Sequence, residues 1–244
     1  MTPFGRIAKT AVAVGIPLAW SNWLLPRLNL ELRGRTAANA GFATGYALVF
    51  RGRPNWLSAR GLWCGLAAVG VVAAGYGAAV AIPSVRDRLA QLTDRAPEVP
   101  FGEWVFVAIP VGTVYSEELI FRSTLDPLLD NTFGPRTGSL IGAATFGLWH
   151  IHPASAAGDS VPASIAATAV GGLVFGLLRR RTGSATAPAL LHYAVNAGGA
   201  LVPRIAARLG TAGRGHSRPC RRRSVTSAPW QDEQRWIRRN YGRP

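Results

Sequence analysis

The chain is predicted to be all-α: a polytopic membrane helical bundle of about seven transmembrane helices, within a range of six to eight. Three observations point there. Of 244 residues, 48% are hydrophobic and 16% charged, against about 25% charged in a soluble domain. The apolar residues come in long uninterrupted blocks, the pattern of segments solvated by lipid. A few ionisable side chains lie isolated inside those blocks, where each costs roughly 2.5–3.5 kcal/mol at the centre of a bilayer helix.

Seven blocks can be drawn. The first, residues 7–25, follows Arg6 and overlaps Lys9. No small-residue cleavage site follows it, so it reads as an uncleaved first helix and not a signal peptide. The second, 36–50, is short and contains Asn39. The third, 61–82, carries no charge and is the plainest span. The fourth, 104–125, holds Glu117, Glu118 and Arg122. The fifth, 138–151, is short and carries His150, with His152-Pro153 as its stop. The sixth is 161–178 and the seventh 184–202. A span needs about 20 apolar residues, so the second and fifth must gain turns from their flanks or lie shielded in the bundle. Small residues, such as those at 73–75 and Gly171-Gly172, would let helices approach closely, or else reflect an Ala-rich genome.

The connectors are polar. Residues 83–100 carry mixed charge, and 126–136 have turn chemistry in Asn131 and Gly134-Pro135. The domain reading is three N-terminal spans in 1–100, a helical core in 101–204, and a basic tail in 205–244. The tail is expected to be disordered, with a surface-lying piece near Trp230 and Trp236.

The formal net charge is +15, and Lys9 is the only basic residue other than arginine. The arginines fall between blocks and in the tail, with no recognition fold between them. That assigns them to anionic lipid headgroups and excludes nucleic acid as a partner. Cys64 and Cys220 form no framework, so structural zinc on thiolates is excluded. Loop arginines favour, narrowly, a cytoplasmic side that holds Arg6, Lys9, Arg51, Arg53, Arg60, Arg136 and 179–181. The basic tail then falls outside, against the rule, unless a re-entrant stretch or a missing second span restores it.

Three short patterns carry the chemistry. In EELIFR, Glu118 and Arg122 stand four apart, on one helical face, in the favourable order for an ion pair. Glu117 is rotated by about 100° and is free to work as a general base. In FGLWH, Phe146 and His150 stand four apart. In HYAVN, His192 and Asn196 do the same. Each has a structural reading: an ion-pair network, an interfacial histidine, polar glue between helices. Depth joins them. At about 1.5 Å per residue, Glu117 lies roughly 12 Å from the Leu125 end of its helix, His192 roughly 12 Å from Ser184, and His150 roughly 18 Å from Gly138. Alternate crossings put those three ends on one membrane side, so the polar groups converge.

The order EExxxR, FxxxH, HxxxN on successive helices resembles the CPBP family of intramembrane proteases, also called the Abi or CAAX-protease family. The resemblance covers about residues 104–202. Many members have Gly after the motif arginine; Ser123 stands there, a change expected to loosen helix packing. The resemblance implies an intramembrane endopeptidase of the glutamic or metallo type. Glu117, His150, His192 and Asn196 would be catalytic, supported by Glu118, Arg122 and Phe146. Glu117 with His150 would hold the water, and His192 with Asn196 the oxyanion. Phe146 and Trp149 would pack the pocket. No cofactor is favoured, although Glu117, His150 and His192 are the candidate ligands should a divalent metal such as zinc take part. The implied substrates are peptides or membrane-anchored proteins, CAAX-like among them, at the bacterial plasma membrane. The rival reading is a non-proteolytic membrane protein: a transporter, or a bacteriocin-immunity or scaffold protein.

Overall fold

The computed structural model describes residues 2–94 and 99–214, and among these every regular element is a helix. Helix α1 covers residues 3–27, with a wide turn at Trp20–Leu24. Then come α2 (Leu32–Phe50), α3 (Ala59–Ala81) and the short α4 (Pro83–Ala90). The long α5 is Phe101–Phe133. It is followed by α6 (Pro135–Trp149), α7 (Ile151–Ala156), α8 (Val161–Thr182) and α9 (Thr186–Arg214). All seven apolar blocks are helical. Of these helices α3, α5 and α8 are long and apolar enough to cross a membrane, and large side chains such as Trp63, Val71, Phe106, Leu140 and Val170 point outward from the bundle. The chain is an integral membrane protein.

Several boundaries differ from the sequence expectation. The polar stretch after Leu125 is not a loop: α5 runs on to Phe133, because Asp126 is buried and bonded to Arg122, and Asp130 is bonded to Arg180. The chain turns only at Gly134, whose φ of +81° suits glycine. The fifth block stops at His150, not at His152-Pro153, and Pro153 sits inside α7. Residues 83–90 are helical and 91–94 form a 3₁₀ turn. The second block is a full 19-residue helix, its Asn39 bonded at both ends to neighbouring helices. The last helix continues to Arg214. Residues 215–244, with Cys220, Trp230 and Trp236, lie outside the described residues.

Helix α5 is the centre of the fold. Pro110 has no N–H to donate, and from Trp104 to Tyr115 and again from Glu118 to Leu125 the helix widens to i→i+5 bonding. Side-chain hydroxyls fill the widened rungs. Ser116, Ser123 and Thr124 donate to the carbonyls five residues back, at 2.9, 3.0 and 2.8 Å. Tyr193 of α9 donates to Val105 O, five residues before Pro110, at 3.3 Å. Ser123 therefore does not loosen this helix; it supplies a bond that glycine could not. Such wide turns recur at functional sites.

Glycine decides which helices touch. A Cβ on Gly172 of α8 would stand 3.2 Å from Phe146, and one on Gly147 of α6 would stand 2.8 Å from Ile165 O. Gly65 of α3 lies against Leu190 and Ala187, and Gly198 of α9 lies under the ring of Tyr76. By contrast Gly70, Gly75 and Gly77 face open space, so small residues at 73–75 reflect composition, not packing. At one end of the bundle Arg53 N donates to Ser123 O and Ala185 N to Pro54 O, both at 2.8 Å. Arg180 grips Asp130 at 3.0 and 2.8 Å. The ends near 53–55, 123–130 and 180–185 are thus together, as the depth argument required.

Candidate active site

Glu117 lies about halfway along α5, 6% exposed. Its Oε1 accepts from Trp149 Nε1 at 3.1 Å. Its Oε2 is buried with no hydrogen-bond partner, and stands 3.9 Å from His150 Nε2 and 3.8 Å from His192 Nε2. Those distances are too long for direct hydrogen bonds. Helix ends place the two rings: His150 terminates α6, and His192 sits on α9 behind the turn at Gly183.

Both imidazoles are oriented through Nδ1. His150 Nδ1 is 2.7 Å from Phe146 O. A carbonyl only accepts, so Nδ1 carries a proton and Nε2 is the ring nitrogen turned toward Glu117. His192 Nδ1 is 2.8 Å from Glu118 Oε1, a carboxylate that orients the ring in the same sense. His192 lies between two carboxylates, Glu117 and Glu118.

The division of labour on α5 differs from the expected one. Glu118 does face Arg122, at 3.7 Å, but its hydrogen bond goes to His192. The closest acid to Arg122 is Asp126, which accepts from Nη1 at 3.1 Å. All three are almost fully enclosed. The guanidinium sits 4.9 Å over the ring of Phe146, and 5.7 and 5.8 Å from those of Phe121 and Phe175. Arg179 adds a bond to Arg122 O at 2.8 Å. Asp126 stands one helical turn beyond Arg122, the same offset as Glu118 on the other side. That spacing was the available signal; treating Asp126 as the start of a loop hid it.

Phe146 does not line the pocket. It stands behind the two rings, edge-on to His150 at 4.9 Å and to His192 at 6.2 Å between centroids. Trp149 does more than pack, since its indole N–H holds Glu117. Asn196 donates to His192 O at 3.0 Å and shares the cavity wall with Glu117 and His150. The cavity, about 640 Å³, runs from these groups past Gly112, Ala108 and Trp104 toward Leu30 and Arg35. Its far wall is α1, α2 and α7, on which none of the three motifs lies.

The donor set of one carboxylate and two imidazole nitrogens is of a type that binds zinc. Its spacing is wider than a tetrahedral zinc requires, where ligands at about 2.0–2.1 Å stand roughly 3.3 Å from one another. Among the described residues no group of three or more His, Cys, Asp or Glu side chains forms a ligand cluster. The arrangement as it stands does not fit an ion, and no chemical step below passes through one.

Comparison with known proteins gives one finding. A family model described as Rce1-like, type II CAAX prenyl endopeptidase Rce1-like, matches residues 100–198. No curated protein and no solved structure matches the chain. The matched segment contains all three motifs and every group that meets around Glu117, from Trp149 to Asn196. Residues 100–198 therefore match the Rce1-like type II CAAX prenyl endopeptidase model, in keeping with the CPBP/CAAX-protease resemblance of the three motifs.

Proposed function

We propose that the chain is an intramembrane endopeptidase that hydrolyses peptide bonds with a water held by Glu117, His150 and His192. The observation that carries this is Glu117 Oε2: an unpartnered carboxylate oxygen, in a buried position, at nearly equal distance from two imidazole nitrogens. Glu118 Oε2 and Arg122 Nε and Nη2 also lack a hydrogen bond, so what singles Glu117 Oε2 out is its place between two imidazole nitrogens. A water there donates to Glu117 Oε2 and to His150 Nε2.

Attack on a peptide carbonyl forms the C–O bond as Glu117 takes the water's proton. His192, held between Glu117 and Glu118, acts in its doubly protonated form. Its Nε2–H, with the spare N–H of Asn196, stabilises the oxyanion. Collapse breaks the C–N bond, and Glu117 returns the proton to the leaving amine. The products are a carboxylic acid and an amine, which become carboxylate and ammonium when the acid's proton passes to the amine. Trp149 keeps Glu117 aimed, and the Glu118–Arg122–Asp126 series keeps His192 aimed. Water activation by Glu117 without a metal is part of this proposal, as are peptide or membrane-anchored protein substrates, CAAX-like ones among them, at a bacterial plasma membrane.

The test is mass spectrometry of membranes from cells carrying the wild type or Glu117→Gln. The proposal expects new C-termini that depend on the wild type. Identical peptide sets, with both proteins inserted at equal level, would favour a transporter or scaffold instead.

A further inference from the structure

Helix α6 breaks at His150, where ψ is 7°, and the break is built from side chains outside the family-matched segment. In a regular helix the carbonyl of residue i accepts from the N–H of residue i+4. Trp149 O would accept from residue 153, but Pro153 has no N–H. Ser21 Oγ of α1 donates to Trp149 O at 2.7 Å in its place. Leu148 O would accept from His152 N. Instead the carboxamide of Asn22 is inserted in that rung: its Nδ2 donates to Leu148 O at 3.1 Å, and its Oδ1 accepts from His152 N at 2.9 Å. A side chain inserted in the ladder is a recognised cause of a kink.

Helix α1 is shaped for this. Leu25 N bonds back to Trp20 O, five residues away, so the helix is wide at Ser21 and Asn22. Pro26, which follows, has no N–H to restore a regular rung. Trp20 is anchored beside them, stacked on Phe42 at 4.3 Å and bonded to Asn39 at 2.9 Å. Asn22 Nδ2 also reaches Leu18 O at 3.1 Å, so the carboxamide is tied to its own helix as well as to the break.

We infer that Asn22, assisted by Ser21, is a positioning residue for the reaction: it wedges open the 148–152 rung and so fixes the angle at which His150 presents Nε2 to Glu117. The effect on hydrolysis rests on the proposed function; the effect on His150 does not.

The experiment uses the full chain in detergent or nanodiscs, as wild type, Asn22→Ala, Asn22→Asp and Ser21→Ala, with ¹⁵N-labelled histidine. In Asn22→Ala the ring signals of His150 should shift while those of His192 stay in place. Turnover of a membrane-anchored peptide should fall about a hundredfold in kcat, as for a misplaced catalytic group, with KM changed less than about threefold. Asn22→Asp keeps the acceptor for His152 N but loses the donor to Leu148 O, so it should recover part of the rate; Ser21→Ala, which leaves the wedge in place, should lose least.

His150 signals unmoved in Asn22→Ala, or His150 and His192 moving together, would overturn the inference. If Asn22→Ala does not fold, Asn22→Asp and Ser21→Ala decide in the same way. The selective shift in Asn22→Ala, with a wild type that hydrolyses nothing, would remove the protease reading and leave the positioning of His150 intact.

Discussion

Helices α3 and α5 are both apolar enough to cross a bilayer, with mean hydropathies of 1.8 and 1.4 over their best windows, yet 6% of one window and 61% of the other is buried within the protein. Helix α3 faces outward along most of its length and touches α9 through Gly65 and Tyr76. Helix α5 is wrapped by other helices and carries Glu117, Glu118, Arg122 and Asp126. Hydropathy alone does not separate a helix that faces lipid from one that forms the core. The ionisable residues do, because a charge in a membrane helix is tolerated only where protein surrounds it.

That contrast can be broken or sharpened by substitution. The largest effect should come from Glu117→Gln. Peptide hydrolysis in proteoliposomes should fall by about 10²–10⁴-fold, the usual contribution of a general base, while thermal unfolding of the purified protein stays where it was. Next, Arg122→Met should cost about 3–5 kcal/mol of stability, measured by denaturant titration in mixed micelles, because Glu118 and Asp126 are left as buried, uncompensated carboxylates. Adding Glu118→Gln and Asp126→Asn should restore much of that loss without restoring activity, since His192 loses the carboxylate on its Nδ1.

On α3 the effects should be smaller and geometric. Gly65→Leu should cost about 1–3 kcal/mol in the same titration, as overpacking does, because even its Cβ would stand 2.7 Å from Leu190. Val71→Ala, at a position 74% exposed, should stay within about 0.5 kcal/mol of wild type. A Val71→Ala variant as damaged as Gly65→Leu would mean that α3 has a partner over its outward face.

Much of this was legible in the sequence, for physical reasons. Long apolar blocks report helices in lipid, so every block became a helix. Isolated polar residues in such blocks report a shared interior, so Glu117, His150 and His192 could be brought together from helical rise alone. What escaped were features set by contact between distant segments. Asp126 read as loop because Asn131 and Gly134-Pro135 give the stretch after Leu125 turn chemistry. Trp149 read as packing because nothing in FGLWH tells where an indole N–H points. The wide turns of α5 combine Pro110 with hydroxyls five residues after their acceptor carbonyls, a spacing that the 3.6-residue period does not reveal. Asn22 acts on a helix break 126 to 130 residues away, and no local pattern encodes that.

The central claim is that Glu117 and His150 act on one water as a unit. A double-mutant cycle on kcat/KM tests it most directly, with Glu117→Gln, His150→Ala and the pair assayed on one membrane-anchored peptide. Residues that act as a unit are strongly non-additive, so the double variant should be about as slow as the slower single. If the two losses simply multiply, the groups contribute separately and the shared-water site is contradicted.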